Sequence, residues 1–260
     1  MGRFYALHCL ILLYLFPPQA CQVFPAERDG RMELPAEISG RKEQILVRTG
    51  FTVSYNSEWK IPNWVAYELV REEVGGDVPR GKRFVPDPGV SSGESATTDD
   101  YRNSGWDRGH MAPAADMKWS RQAMDESFYL SNICPQNRNL NAGVWNSLEE
   151  QVRALAAEKG RIYVVCGPMV SERPRTIGAN RVAVPDAFFK ALLQNDGGVW
   201  HAIAFVFENR SGRNPLATYA KSVEELQALT GIDFFPALPD RIEAETESRV
   251  DFTKWNVSGR

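Results

Sequence analysis

The stretch WDRGHMAPAADM, residues 106–117, sets His110 beside an aspartate, an arginine and a glycine. An imidazole exchanges its proton near neutral pH, so it can serve as a general base. Read alone, His110 fits a core histidine better than a catalyst, because Trp106, Met111 and Met117 surround it. Gly109 removes bulk next to it, which would allow a ligand to approach closely. Asp107 and Arg108 taken alone fit a solvated ion pair. The next polar concentration is SNICPQNRNLNAGVW, residues 131–145, with Asn132, Gln136, Asn137, Asn139 and Asn141. Asn141 fits a helix N-cap. Its amide oxygen equally suits Mg²⁺, a hard cation that takes few protein ligands and keeps several waters. Glu149 follows Asn141 by eight residues. On a regular helix that spacing means about 80° around the axis and ~12 Å along it. Glu149 would then act on the ion through a water rather than directly. One imidazole, one neutral oxygen, one water-orienting carboxylate and clustered arginines suit phosphodiester hydrolysis with a single Mg²⁺.

Such residues need a rigid frame, and the sequence supplies its elements. FTVSYN (51–56) and NWVAYELV (63–70) are aromatic and β-branched, as strands are. RIYVVCGPMV and VWHAIAFVFE read as buried strands, and AFFKALLQ (187–194) as a weaker one. The spacing of Trp145, Leu148, Val152 and Leu155 predicts a helix ending at Gly160. A short helix begins at Ser120 as N-cap, and SVEELQALTG carries a capping box of Ser222 and Glu225. Residues 71–105 read as a long surface loop. His201, inside VWHAIAFVF, reads as structural. The whole pattern is α+β with a central, mostly antiparallel sheet.

The totals set limits. A chain of 260 residues, 43% hydrophobic, can bury a full core. Its net charge of −3 gives no overall attraction for nucleic acid, so a polyanion would need a local basic patch. Arg3, the apolar run ALHCLILLYLF and PPQA read as a signal peptide over residues 1–20. The expected organisation is that signal, a loosely ordered lead-in over 21–50, and one domain over 51–260. Export follows, to the periplasm or the medium, with a lipid anchor on Cys21 as a variant. Removing the signal takes Cys9 and His8 away, leaving only His110 and His201 as histidines, too few for a His-rich zinc site. Cys134 and Cys166 read either as a disulfide or as two buried thiols.

DRGHMAPAAD followed by FYLSNICPQNRNLNAGVWNSLE strongly resembles the DNA/RNA non-specific endonucleases, the ββα-metal or His-Me finger nucleases. The likeness is dense over 106–150 and looser over the rest of 51–240, where NWVAYEL, VCGPM and ALPD look like family landmarks. The resemblance implies a ββα-metal core and an Mg²⁺-dependent endonuclease, with Mn²⁺ able to substitute, acting on DNA and RNA with little sequence preference. It implies His110 as general base, Asn141 as direct metal ligand, and Glu149 as the acid contacting a water on the metal. Arg108 and Arg83 match arginines near the substrate phosphate, Arg80 competing with Arg83, and Asn132 matches a supporting polar residue. Cys134 departs from the family pattern, where Thr or a small or apolar residue is commoner. Two other readings stay open: an inactive nucleic-acid-binding module of the same fold, and a phosphodiesterase for another substrate.

Overall fold

The computed structural model describes residues 31–81 and 83–255. The expected signal peptide, Cys21 and its lipid anchor lie outside the described residues. No helix among the described residues is long and apolar enough to cross a membrane.

Seven strands form one antiparallel sheet. They are β1 (Gln44–Val47), β2 (Thr52–Asn56), β3 (Ile61–Val70), β6 (Arg161–Met169), β9 (Ala187–Asp196), β10 (Val199–Glu208) and β11 (Ala220–Lys221), side by side in that order. Alternation along β9 divides the interior in two. Phe188 and Leu192 face a cluster with Trp145, Leu148, Val152 and Leu155, whereas Phe189, Ala191 and Leu193 face Val223, Leu226 and Phe234. The first cluster lies under helix α4 (Asn146–Lys159), which ends at Gly160 with φ 93°. Only a residue without Cβ adopts that angle cheaply. The second lies under α5 (Val223–Thr230), whose capping box is formed by Ser222 and Glu225 as the sequence predicts.

Residues 31–50 are not a loose lead-in. β1 pairs with β2 from Gln44 to Val47, and Leu34, Ile38 and Leu46 are buried. The apolar positions in that stretch are too widely spaced to show a period, so their burial comes from tertiary contact. A helix α6 (Asp240–Glu247) follows LPD, and β7 (Thr176–Ile177) pairs with β8 (Val182–Ala183), none of which the sequence pattern predicts. His201 is half-buried at the rim of a groove beside α6 rather than in the core. Cys134 and Cys166 are free thiols, both fully buried, so the disulfide alternative falls.

Away from the main sheet, β4 (Asp107–His110) and β5 (Ile133–Gln136) form a two-stranded antiparallel ribbon. After it come α3 (Arg138–Leu140), a wide π-type segment over Asn141–Trp145, and α4. Two strands and a helix make the ββα unit. The loop between the strands carries α2 (Arg121–Glu126), N-capped by Ser120, whose hydroxyl accepts from the Ala123 amide. α1 (Thr98–Tyr101) lies in the long 71–105 loop.

Candidate active site

His110 ends β4 opposite Ile133. Its ring is packed edge-on to Phe128, with centroids 4.9 Å apart, and lies 5.3 Å from Phe84. Its buried Nε2 makes no hydrogen bond within the described residues. Burial first, and the positive charge of Arg80 second, push its pKa down to about 3. The imidazole is therefore neutral, the form a general base requires. Gly109 is needed for a reason other than ligand access: any Cβ there would collide with the Gln136 side chain on the paired strand.

Asp107 does not orient Arg108. Its Oδ2 accepts from Asn141 Nδ2 at 3.3 Å, and its Oδ1 pairs with Arg138 Nε at 3.8 Å. A carboxylate only accepts, so this bond turns the amino end of the Asn141 amide toward Asp107 and frees the carbonyl oxygen. Asn141 is not the helix cap. Asn137 is: its Oδ1 accepts from the amides of Asn139 and Leu140. The chain then widens into the π-type segment and departs from helical geometry at Gly143 (φ −107°, ψ −120°). The regular-helix spacing from Asn141 to Glu149 does not survive that kink. Wide turns of this kind recur at functional sites, because they re-aim a side chain without ending the helix.

Two further clamps hold the hairpin, one within its own connection and one to the helix. The Asn132 amide is fully buried and engaged with the Ala112 amide and carbonyl and with the Ser127 carbonyl, each at 2.9 Å. It braces the turn just after His110 rather than facing the cleft. Asp116, at the far end of the opening motif, accepts from Arg153 of α4 at 2.9 Å and from the Tyr67 hydroxyl of β3 at 3.0 Å. Arg153 sits one turn beyond Glu149, so this buried pair sets how far the Glu149 face lies from the His110 strand. Asp116→Ala should cost about 2–3 kcal/mol, because it removes a fully buried acceptor and leaves the buried Tyr67 hydroxyl and the partly exposed Arg153 guanidinium without it. Urea unfolding measures it, and a loss under about 1 kcal/mol would remove the clamp from the account.

Glu149 is half-buried on α4. Burial pushes its pKa up to about 7, the nearby Lys190 charge pulls it down, Asp116 pushes it up again and Arg153 pulls it down. A carboxylate so placed gains from a divalent cation, which favours its ionised form. The freed Asn141 oxygen and this carboxylate fit a hard cation that keeps most of its waters. Among the described residues no three His, Cys, Asp or Glu side chains converge as a metal site.

The cationic side of the site is a cleft of about 450 Å³ lined by Arg83, Phe84, Arg102 and Arg108 among others. Arg108 is exposed and stacks its guanidinium 4.6 Å over the Phe84 ring. Stacking occupies the face of a guanidinium and leaves its in-plane N–H donors for a phosphate. Arg80 stacks 5.4 Å over Phe128, on the other aromatic neighbour of His110. Arg83 thus shares a cleft with Arg108, whereas Arg80 shares an aromatic wall with His110. The local basic patch that an acidic chain would need is present. Sequence reading missed Phe84, Phe128, Arg102, Asp116, Arg153 and Lys190. Only Asp116 carried a signal, as the acidic end of the opening motif.

Comparison with known proteins agrees with this fold. Residues 32–241 match the family described as DNA/RNA non-specific endonuclease. Nuclease EXOG, mitochondrial, of Xenopus laevis is 36% identical over 251 residues, covering 88% of this chain and 69% of that protein. Endonuclease G, mitochondrial, of Homo sapiens is 36% identical over 207 residues, covering 74% of this chain and 70% of that protein. The crystal structure of the EndoG/EndoGI complex superposes with a TM-score of 0.74 at 29% identity, covering 82% of this chain and 93% of that one.

Proposed function

This chain belongs to the DNA/RNA non-specific endonuclease family and is a nuclease, and from that premise we propose that it cuts both DNA and RNA internally with Mg²⁺, leaving 5′-phosphate ends. The observation that carries the reading is the link between the base and the ligand: one β-ribbon holds neutral His110 and, through Asp107, turns the Asn141 oxygen outward.

In this reading His110 takes a proton from the attacking water, and its aromatic walls keep it free of competing hydrogen bonds. Asn141 would hold the ion through its amide oxygen, and Glu149 would contact it through a water. Mg²⁺, or Mn²⁺ in its place, would supply positive charge there to polarise the phosphoryl oxygen and stabilise the leaving alkoxide. Arg108 and Arg83 grip phosphates from the cleft wall. Asn132 acts one step back, by fixing the turn that follows His110. Grip on phosphates alone carries no direct sequence information, which accounts for low base preference.

Export, with or without a lipid on Cys21, rests on residues 1–21 of the sequence. Both relatives are named as mitochondrial proteins, so fractionation of the producing cells decides the compartment.

The testing experiment incubates purified protein with supercoiled plasmid, single-stranded RNA and a small phosphodiester, each with Mg²⁺ and with EDTA. Expected are nicked plasmid and cut RNA in Mg²⁺ only. Cleavage of the small diester alone would favour a phosphodiesterase of another kind. No cleavage at all would leave a nucleic-acid-binding module.

A further inference from the structure

Lys190 stands in the middle of β9 and is fully buried. Its neighbours on the same strand face, Phe188 and Leu192, belong to the apolar cluster beneath α4. Its Nζ lies 4.6 Å from the centroid of the Trp145 ring and makes no hydrogen bond within the described residues. Removing an ammonium from water without an acceptor costs more than one aromatic face returns. A methionine would fill much the same space without that cost. Stability therefore does not explain the lysine.

Charge does. The acidic groups in its field are Asp116, Glu149 and its cross-strand partner Cys166, whose thiol burial holds protonated, and the other cation there is Arg153. Arg153 is committed to Asp116 through the hydrogen bond at 2.9 Å. Lys190 is the cation left for Glu149. Trp145 precedes Glu149 by four residues, so the ring under which the ammonium sits and the carboxylate share one helix face. The wide segment that carries Asn141 ends at the same Trp145.

We infer that Lys190 is a positioning residue for the nuclease reaction, a buried counter-charge that holds Glu149 in place from beneath the helix and acts only through it. The inference rests on the role given to Glu149 under the proposed function.

A double-mutant cycle tests it. Lys190→Met should lower kcat on plasmid DNA by about 10–100-fold, the usual effect of losing such a supporting contact. KM should hold, and the unfolding temperature in EDTA should stay level or rise. Glu149→Gln should lower kcat by itself, and adding Lys190→Met to it should lower kcat no further. Unchanged kcat in Lys190→Met, or an equal loss in both backgrounds, overturns the inference. So does a fall in unfolding temperature in Lys190→Met that Lys190→Gln, which keeps a polar chain, repeats. Wild-type activity in Glu149→Gln would instead overturn the role of Glu149.

Discussion

Replacing His110 with alanine should lower nicking of supercoiled DNA by about 10²–10⁴-fold, the usual contribution of a positioned general base. The fold should persist. The substitution removes a ring from between Phe84 and Phe128, at a cost of about 2–3 kcal/mol, which is less than the 5–15 kcal/mol typical of a domain. Activity within threefold of wild type would refute the assignment. A second measurement follows from the environment of the ring. With a pKa near 3, the imidazole of the free protein stays neutral across the working range. Its NMR resonances should not titrate between about pH 5 and 8, and a midpoint near the ordinary 6.5 would contradict the burial argument. The sign for stability follows from the depressed value. The unfolded chain takes up a proton as pH falls through about 6.5 and the folded one does not, so this stabilisation is present above 6.5 and is lost toward 3. A low pKa makes a weak proton acceptor in the free protein. A substrate phosphate beside the ring supplies negative charge that favours protonation, so basicity rises when nucleic acid is bound.

Asn141→Ala should lower activity about 10³-fold, which corresponds to about 4 kcal/mol of transition-state stabilisation. The structure makes this substitution unusually clean. Asn137, not Asn141, caps the helix, so the alanine uncaps nothing and gives up only the bond to Asp107, and stability in EDTA should fall by no more than about 1 kcal/mol. Asp107→Asn should cost less, about 10–100-fold, because it leaves the ligand but replaces an acceptor-only carboxylate with an amide that can bond either end of the Asn141 amide, so the outward-facing end is no longer selected. Both variants should need more Mg²⁺ for half-maximal rate. If Asn141→Ala keeps the wild-type rate and Mg²⁺ dependence, the ion is held by other residues and the site must be redrawn.

Local pattern alone carried much of the fold. The helix under Trp145, Leu148 and Val152, its stop at Gly160, the Ser120 and Ser222 caps and five strands of the main sheet, β2, β3, β6, β9 and β10, follow from period and capping chemistry, which involve residues within a turn or two of one another. The DRGH and LNAGVW motifs likewise fixed the family and singled out His110, Asn141 and Glu149. Edge strand β1 and helix α6 were not legible, because their short apolar sets become meaningful only against a surface formed far away in sequence.

The same division runs through the site. Types and spacing in the sequence singled out an imidazole, a neutral amide oxygen and a carboxylate as candidates for one site. The tertiary structure decided what each neighbour does. Gly109 makes room for Gln136 rather than a ligand, Asp107 serves Asn141 rather than Arg108, and Asn132 braces a turn. It also decided that Lys190, a polar letter among the apolar residues of 187–193, lies beneath Trp145 and within the field of Glu149. The physical reason is range. Capping and periodicity act between residues a few positions apart, whereas hydrogen-bond partners and buried counter-charges are chosen by proximity in space, and that exists only once β4, β5, β9 and α4 have packed.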